Sequence, residues 1–113
     1  MEQLGPKDFE GPRLRRQGTW AVAFLADWCP FCRSFEALFE RFDGSGKFTI
    51  AVADVSDYSS PLWERFAIEI VPTVLAFSDG EVVHRIDGVP MEGLGPGDLE
   101  NLRGFLARPR DRS

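Results

Sequence analysis

The chain has only two thiols, and they stand two residues apart in Cys29-Pro30-Phe31-Cys32. With no third cysteine, nothing else in the chain competes to bridge either one. This spacing lets the two sulfurs close a disulfide within one helical turn. It also lets one thiol attack a foreign disulfide while the other waits nearby to resolve the adduct. An apolar run, Trp20 to Ala26, precedes the pair, and a helical pattern follows it, which puts Cys29 at a helix N-terminus. Unpaired N–H groups and the helix dipole favour a thiolate there, and the thiolate is the nucleophile.

Other uses of such a pair compete with this one. It could be half of a zinc site, but zinc takes four ligands and only His84 is offered besides the pair. An iron–sulfur cluster would need ligands from a second chain. The pair could also be inert, on a domain that only binds a partner. The strand–helix–strand setting favours redox chemistry, and no metal or cofactor is expected. His84 itself reads as a solvated strand residue beside Arg85, and Glu64 and Glu69 read as helix-surface charges. The chain contains no phosphate-cradling glycine loop and no Ser–His–Asp set.

The elements that must position the pair follow from periodicity. A first helix is predicted within Pro6 to Gln17, bent or shortened by Pro12 and ended by Gly18, with Arg13, Arg15 and Arg16 on its solvated face. Trp20 to Ala26 is nearly all apolar, as in a central strand covered on both faces. After the cysteines, Phe31, Phe35, Leu38, Phe39 and Phe42 recur at helical spacing until Gly44 and Gly46. Phe48 to Asp54 reads as a second strand. A short helix follows, capped by Ser59 or Ser60 with Pro61 at its first position. Thr73 to Phe77 and Glu81 to Ile86 flank the turn Ser78-Asp79-Gly80 as a hairpin. Gly88 to Gly97 is a loop, and Asp98 to Leu106 a closing helix. The order α, β, α, β, α, β, β, α describes an α/β protein: a mixed central sheet with helices on both faces.

Composition sets the frame. A chain of 113 residues, 43% hydrophobic, with ten Phe and three Trp, suits one packed domain. That domain spans residues 1–113, its core about 19–106, with a frayed polar tail over 108–113. A net charge of −5 argues against nucleic-acid partners. No stretch approaches the ~20 apolar residues of a membrane span, and no secretory signal opens the chain. The simplest expectation is a cytoplasmic monomer.

Two separated stretches carry a family resemblance. Ala21 to Cys32, an apolar strand followed by Ala-Asp-Trp and Cys-x-x-Cys, resembles the active-site strand and motif of the thioredoxin family. Trp63 to Val74, containing Val71-Pro72-Thr73, resembles the segment that ends in the family's cis-proline. Phe77 to Val83 resembles its hairpin, and Asp87-Gly88 the glycine beyond. The resemblance covers roughly Thr19 to Leu106 and implies the thioredoxin fold. It implies a thiol–disulfide oxidoreductase acting on protein disulfides, replenished by a reductase or a small-thiol donor. Cys29 would be the exposed nucleophile, Cys32 the buried resolving thiol and Pro72 a cis residue. Val71 would then offer its backbone to an extended substrate. Trp28, Pro30, Phe31, Val71 and Gly88 would ring a shallow apolar contact patch.

The sequence also departs from that pattern. Thioredoxins commonly have a buried Asp six residues before the first cysteine and a Lys on the next strand, where this chain has Ala23 and Val52. Proton transfer at Cys32 then falls to water, Asp27 or the substrate. The Pro-Phe pair between the cysteines resembles glutaredoxins more than the usual Gly-Pro of thioredoxins. Glutathione-dependent reduction is therefore the alternative enzymatic reading. The loop from Val89 to Gly97 also looks longer than usual.

Overall fold

The computed structural model describes residues 1–42 and 46–106. A five-stranded mixed sheet has the order β1-β5-β4-β6-β7. Its strands are β1 (Glu2–Leu4), β4 (Thr19–Leu25), β5 (Thr49–Asp54), β6 (Thr73–Ser78) and β7 (Glu81–Asp87). Its helices are α1 (Pro30–Phe39), α2 (Leu62–Arg65) and α3 (Pro96–Leu106). Central β4 runs parallel to β5 and antiparallel to β6. Its residues from Trp20 to Leu25 are all buried, as the apolar run demands. Among the described residues, no helix is long and apolar enough to cross a membrane.

Alternation along β4 sorts the core into two layers. On one face Phe24 meets Phe9 and Phe66 at ring-centroid distances of 6.1 and 5.5 Å, and Phe66 meets Phe77 at 6.0 Å. This cluster joins α2 and the N-terminal segment to the sheet. The other face of β4 carries Ala21 and Ala23, which leave room for the phenyl rings of α1. There Phe35 stacks on Phe39 at 5.5 Å and Phe39 on Phe42 at 6.0 Å. The Arg103 guanidinium of α3 lies 4.7 Å from the Phe42 ring centroid, so α3 shares this layer.

The N-terminus corrects the sequence reading. Instead of a helix over Pro6 to Gln17, it forms β1, a single 3₁₀ turn (Pro6–Asp8) and a two-stranded ribbon of β2 (Phe9–Glu10) and β3 (Arg13–Leu14). Gly11, at φ +55°, makes the turn. β1 gains a full parallel ladder against β5, with Glu2 opposite Ala51 and Leu4 opposite Ala53. Such a partner lies far away in sequence and leaves no local periodicity. The three arginines are therefore not on a helix face. Arg16 pairs with Glu2 at 2.6 Å and Asp8 at 3.0 Å, Arg15 with Glu10 at 3.5 Å, and Arg13 donates to the Asp79 carbonyl.

The later boundaries shift only slightly. α1 ends at Phe39, so Phe42 packs from just beyond it. Pro61 caps α2 rather than opening it, while the Ser60 hydroxyl accepts the Leu62 N–H. α3 begins two residues early, at Pro96. Within the predicted loop, Val89 and Gly93 pair as an antiparallel bridge. Gly44 and the tail over 108–113 lie outside the described residues.

Candidate active site

The end of β4 delivers the chain directly into α1. Cys29 is the N-cap of α1, with extended backbone at φ −100° and ψ 113°, and Pro30 takes the first helical position. A proline costs nothing there, because that N–H has no intrahelical acceptor. The Cys32 N–H donates to the Cys29 sulfur at 3.1 Å. The nucleophile candidate thus occupies the place of an N-cap side chain, where an N–H and the helix dipole both favour negative charge. Both cysteines are free thiols.

The accessibility of the pair differs from expectation in degree. Cys29 is 7% exposed and Cys32 only 2%. Cys29 is the more open of the two, but it is not an exposed side chain, because the segment before β6 leans over it. The Cys29 thiol donates to the Val71 carbonyl at 3.5 Å. The Val71–Pro72 peptide is cis. Burial, more than any other cause, pushes the Cys32 thiol up to about 12 from an ordinary 9.0. The hydrogen bond and charge of Cys29 and the charge of Glu36 add to the rise, against a backbone hydrogen bond at Ala26.

The Val71–Pro72 corner is held from beneath. Thr73, fully buried, donates its hydroxyl to the Ile70 carbonyl at 2.7 Å. Arg85 on β7 donates to the carbonyls of Phe66 and Ala67 and pairs with Asp87 at 2.9 Å. It thereby satisfies the open C-terminal end of α2. Gly88 is buried beneath Pro72, and a Cβ there would stand 2.5 Å from the Pro72 carbonyl oxygen. Of the expected contact patch, Trp28, Pro30 and Phe31 face solvent, whereas Val71 and Gly88 are buried. The last two shape the patch from below. Phe31 is in turn backed by the Val89–Gly93 turn, since a Cβ on Gly93 would stand 2.8 Å from the Phe31 Cβ.

Trp28 belongs to an aromatic stack that the sequence reading missed. Its ring lies between Tyr58, at 5.1 Å and 15°, and Trp63, at 6.2 Å and 10°. The Trp28 indole N–H donates to the Ser56 carbonyl at 2.9 Å, and the Trp63 indole N–H to the Val55 carbonyl at 3.1 Å. Ser56 is the hub, because its hydroxyl also accepts the Asp27 N–H at 2.8 Å. Tyr58 is 75% exposed and Trp28 44%. Trp63 and Tyr58 lie five residues apart, a spacing with no helical or strand period, so only the fold brings them together.

His84, on edge strand β7, stacks on Phe105 of α3 at 4.2 Å. Among the described residues, no group of three or more His, Cys, Asp or Glu side chains could hold a metal ion.

Comparison with known proteins agrees with this geometry. The sequence profile of the thioredoxin family matches residues 2–94. The chain is 31% identical over 108 residues to mitochondrial thioredoxin of Mus musculus, covering 94% of this chain and 60% of that protein. It is 28% identical over 102 residues to thioredoxin-related transmembrane protein 4 of Mus musculus, covering 88% of this chain and 28% of that protein. It thus spans less than two thirds of either relative. Among solved structures, a mutant thioredoxin from Halobacterium salinarum NRC-1 superposes with a TM-score of 0.61 at 25% identity, over 80% of this chain and 73% of that one. A malaria-parasite thioredoxin-2 shares the fold, with a TM-score of 0.63 at 16% identity, over 80% of this chain and 84% of that one. The profile match across most of the chain, on a mixed sheet that feeds a Cys-x-x-Cys helix, makes this protein a member of the thioredoxin family.

Proposed function

We propose that the protein is a dithiol–disulfide oxidoreductase acting on protein substrates. The observation that carries this reading is the Cys29 sulfur in the N-cap position, accepting the Cys32 N–H, with a second free thiol one turn along. In the reductive direction, Cys29 thiolate attacks one sulfur of a substrate disulfide and expels the other as a thiolate. A mixed disulfide results. Cys32, once deprotonated, attacks the Cys29 sulfur, releases the second substrate thiolate and closes the Cys29–Cys32 disulfide. A reductase or a small thiol restores the dithiol.

The substrate would lie along the Val71–Pro72 corner as a short added strand, flanked by Trp28, Pro30 and Phe31. The test is insulin reduction by dithiothreitol, followed as turbidity, with and without the protein. The wild type accelerates precipitation and Cys29→Ser does not. Equal lag times with and without wild type would refute the reading. Cys32→Ser is expected to accumulate mixed disulfides that Cys29→Ser does not form. The Pro30-Phe31 pair favours one second reading, glutathione-dependent reduction. Turnover of a glutathione mixed disulfide faster than of insulin would select it.

A further inference from the structure

Resolution of the mixed disulfide needs Cys32 to lose a proton while still buried. On the order of one such thiol in 10⁵ is ionised at neutral pH when its pKa stands near 12. When Cys29 is tied up in the mixed disulfide, its charge and hydrogen bond no longer oppose ionisation, but the burial remains. The proton must therefore have an outlet, and the position six residues before Cys29 holds Ala23, which carries no titratable group.

The structure holds an opening on the side of Cys32 away from the Val71–Pro72 corner. A cleft of about 240 Å³ is walled by Leu25, Ala26 and Val52 of the sheet layer, and its wall includes both cysteines. Its polar lining comes from Gln3 on β1, Asp54 at the end of β5, Asp27 after β4, and Arg33 and Glu36 on α1. That volume takes several waters, and the polar lining gives them partners. Three carboxylates reach this cleft, and they are not equivalent. Asp54 accepts the Ser56 N–H at 2.8 Å and the Ser56 hydroxyl at 2.5 Å. Asp27 and Glu36 are both exposed, but Asp27 sits on the loop whose backbone is tied to Ser56. Glu36 lies four residues after Cys32, on the same side of α1, and its charge is felt at the Cys32 thiol.

We propose that Glu36 takes the proton of Cys32 through water in this cleft, doing from the helix rim what a carboxylate at position 23 could do from the sheet. The proposal rests on the dithiol reading above. In the step, the Cys32 S–H proton passes to the Glu36 carboxylate. The Cys32 thiolate forms a bond to the Cys29 sulfur, and the bond from that sulfur to the substrate breaks. The substrate sulfur leaves as a thiolate and takes a proton from solvent, and Glu36 returns its proton to solvent through the open cleft.

Two roles for Glu36 predict opposite signs. As a mere neighbouring charge it disfavours the Cys32 thiolate, so Glu36→Gln would speed resolution. As proton acceptor it assists the step, so Glu36→Gln slows it. The reduced protein is mixed in stopped flow with an aromatic disulfide whose released thiolate absorbs in the visible. The first release reports Cys29 attack and the second reports Cys32 resolution. We expect Glu36→Gln to leave the first phase unchanged and slow the second by about tenfold near neutral pH, less than the usual ~10²–10⁴-fold of general-base effects because water replaces it in part. The deficit should shrink as pH rises and hydroxide takes over, and Glu36→Asp should recover part of the rate. Glu40→Gln removes a charge one turn further along α1, outside the cleft, and should change neither phase. A second phase that is unchanged or faster in Glu36→Gln overturns the proposal, as does an equal slowing of both phases. A wild type with no first phase overturns the dithiol reading instead.

Discussion

The two sides of the cysteine pair are built on opposite principles. Around Trp28 the surroundings are aromatic and fixed by backbone hydrogen bonds. Tyr58, Trp28 and Trp63 stack, and Ser56 and Val55 carbonyls lock the two indoles. On the other side lies a cleft bordered by Gln3, Glu36 and Asp54 and open to water. On the proposed reading, the first would offer shape and apolar area to a polypeptide, and the second a route for protons. Cys29 borders both and Cys32 only the second. A disulfide exchange needs both services at once, on sulfurs one helical turn apart, and Ser56 joins them, since it holds the Trp28 indole and the Asp54 carboxylate together.

That contrast is exposed to test, most severely at Cys32. Its folded-state pKa stands near 12 against an ordinary 9.0, so the folded protein holds a proton that the unfolded chain loses first. The associated stability is complete below pH 9 and declines as pH rises from 9 toward 12, by a few kcal/mol in all. Denaturant unfolding of the reduced protein across this range should show the decline, and reduced Cys32→Ser should lack it. Parallel curves for the two proteins would mean that Cys32 is not isolated from solvent.

Gly88→Ala attacks the Val71–Pro72 corner from beneath. The added methyl would stand 2.5 Å from the Pro72 carbonyl, so the corner must shift. We expect a loss of about 1–3 kcal/mol in chemical denaturation, in the range of overpacked sites, together with slower insulin reduction. Trp28→Ala removes the middle ring of the stack. It should lower kcat/KM for a protein substrate by about tenfold while thiol attack on a small disulfide stays near wild type, because aromatic pairs contribute ~0.5–1.5 kcal/mol each beyond the area they bury.

Ala23→Asp asks whether the two sides communicate. A carboxylate at this fully buried position would oppose ionisation nearby, slowing Cys29 alkylation near neutral pH. An unchanged or faster alkylation would show that the site is electrically insulated from the sheet. Tyr58→Ala should have the smallest effect, a few-fold in kcat/KM with stability within about 0.5 kcal/mol, since the ring is 75% exposed.

The parts legible in the sequence share a physical character. β4, α1, β5 and the β6–β7 hairpin each carry their period or turn chemistry within a dozen residues, so Trp20 to Phe24 and Phe35 to Phe39 declare themselves. Cys29 and Cys32 do so by spacing. What was not legible depends on partners distant along the chain. Glu2 to Leu4 becomes a strand only because Ala51 to Ala53 offers a free edge. Tyr58 becomes part of the site only by stacking on Trp28. Arg85, for which the sequence offers no signal, turns back to hold the Phe66 and Ala67 carbonyls at the end of α2. Glu36 carries no sequence signal, and the cleft it borders is encoded by no local pattern.

The irregular pairing of β6 with β7 bears on how copies of the molecule behave when crowded. The register between these strands shifts at Ala76 and Phe77, so the outermost strand bends where its ladder is interrupted. That strand also carries Glu81, His84, Arg85 and Asp87. A bent, charged border is a poor template for edge-to-edge growth, the first contact in β-aggregation. The opposite border, β1, is three residues long and gives an incoming strand little length to pair with. Both margins of the sheet thus discourage the protein from polymerising with itself.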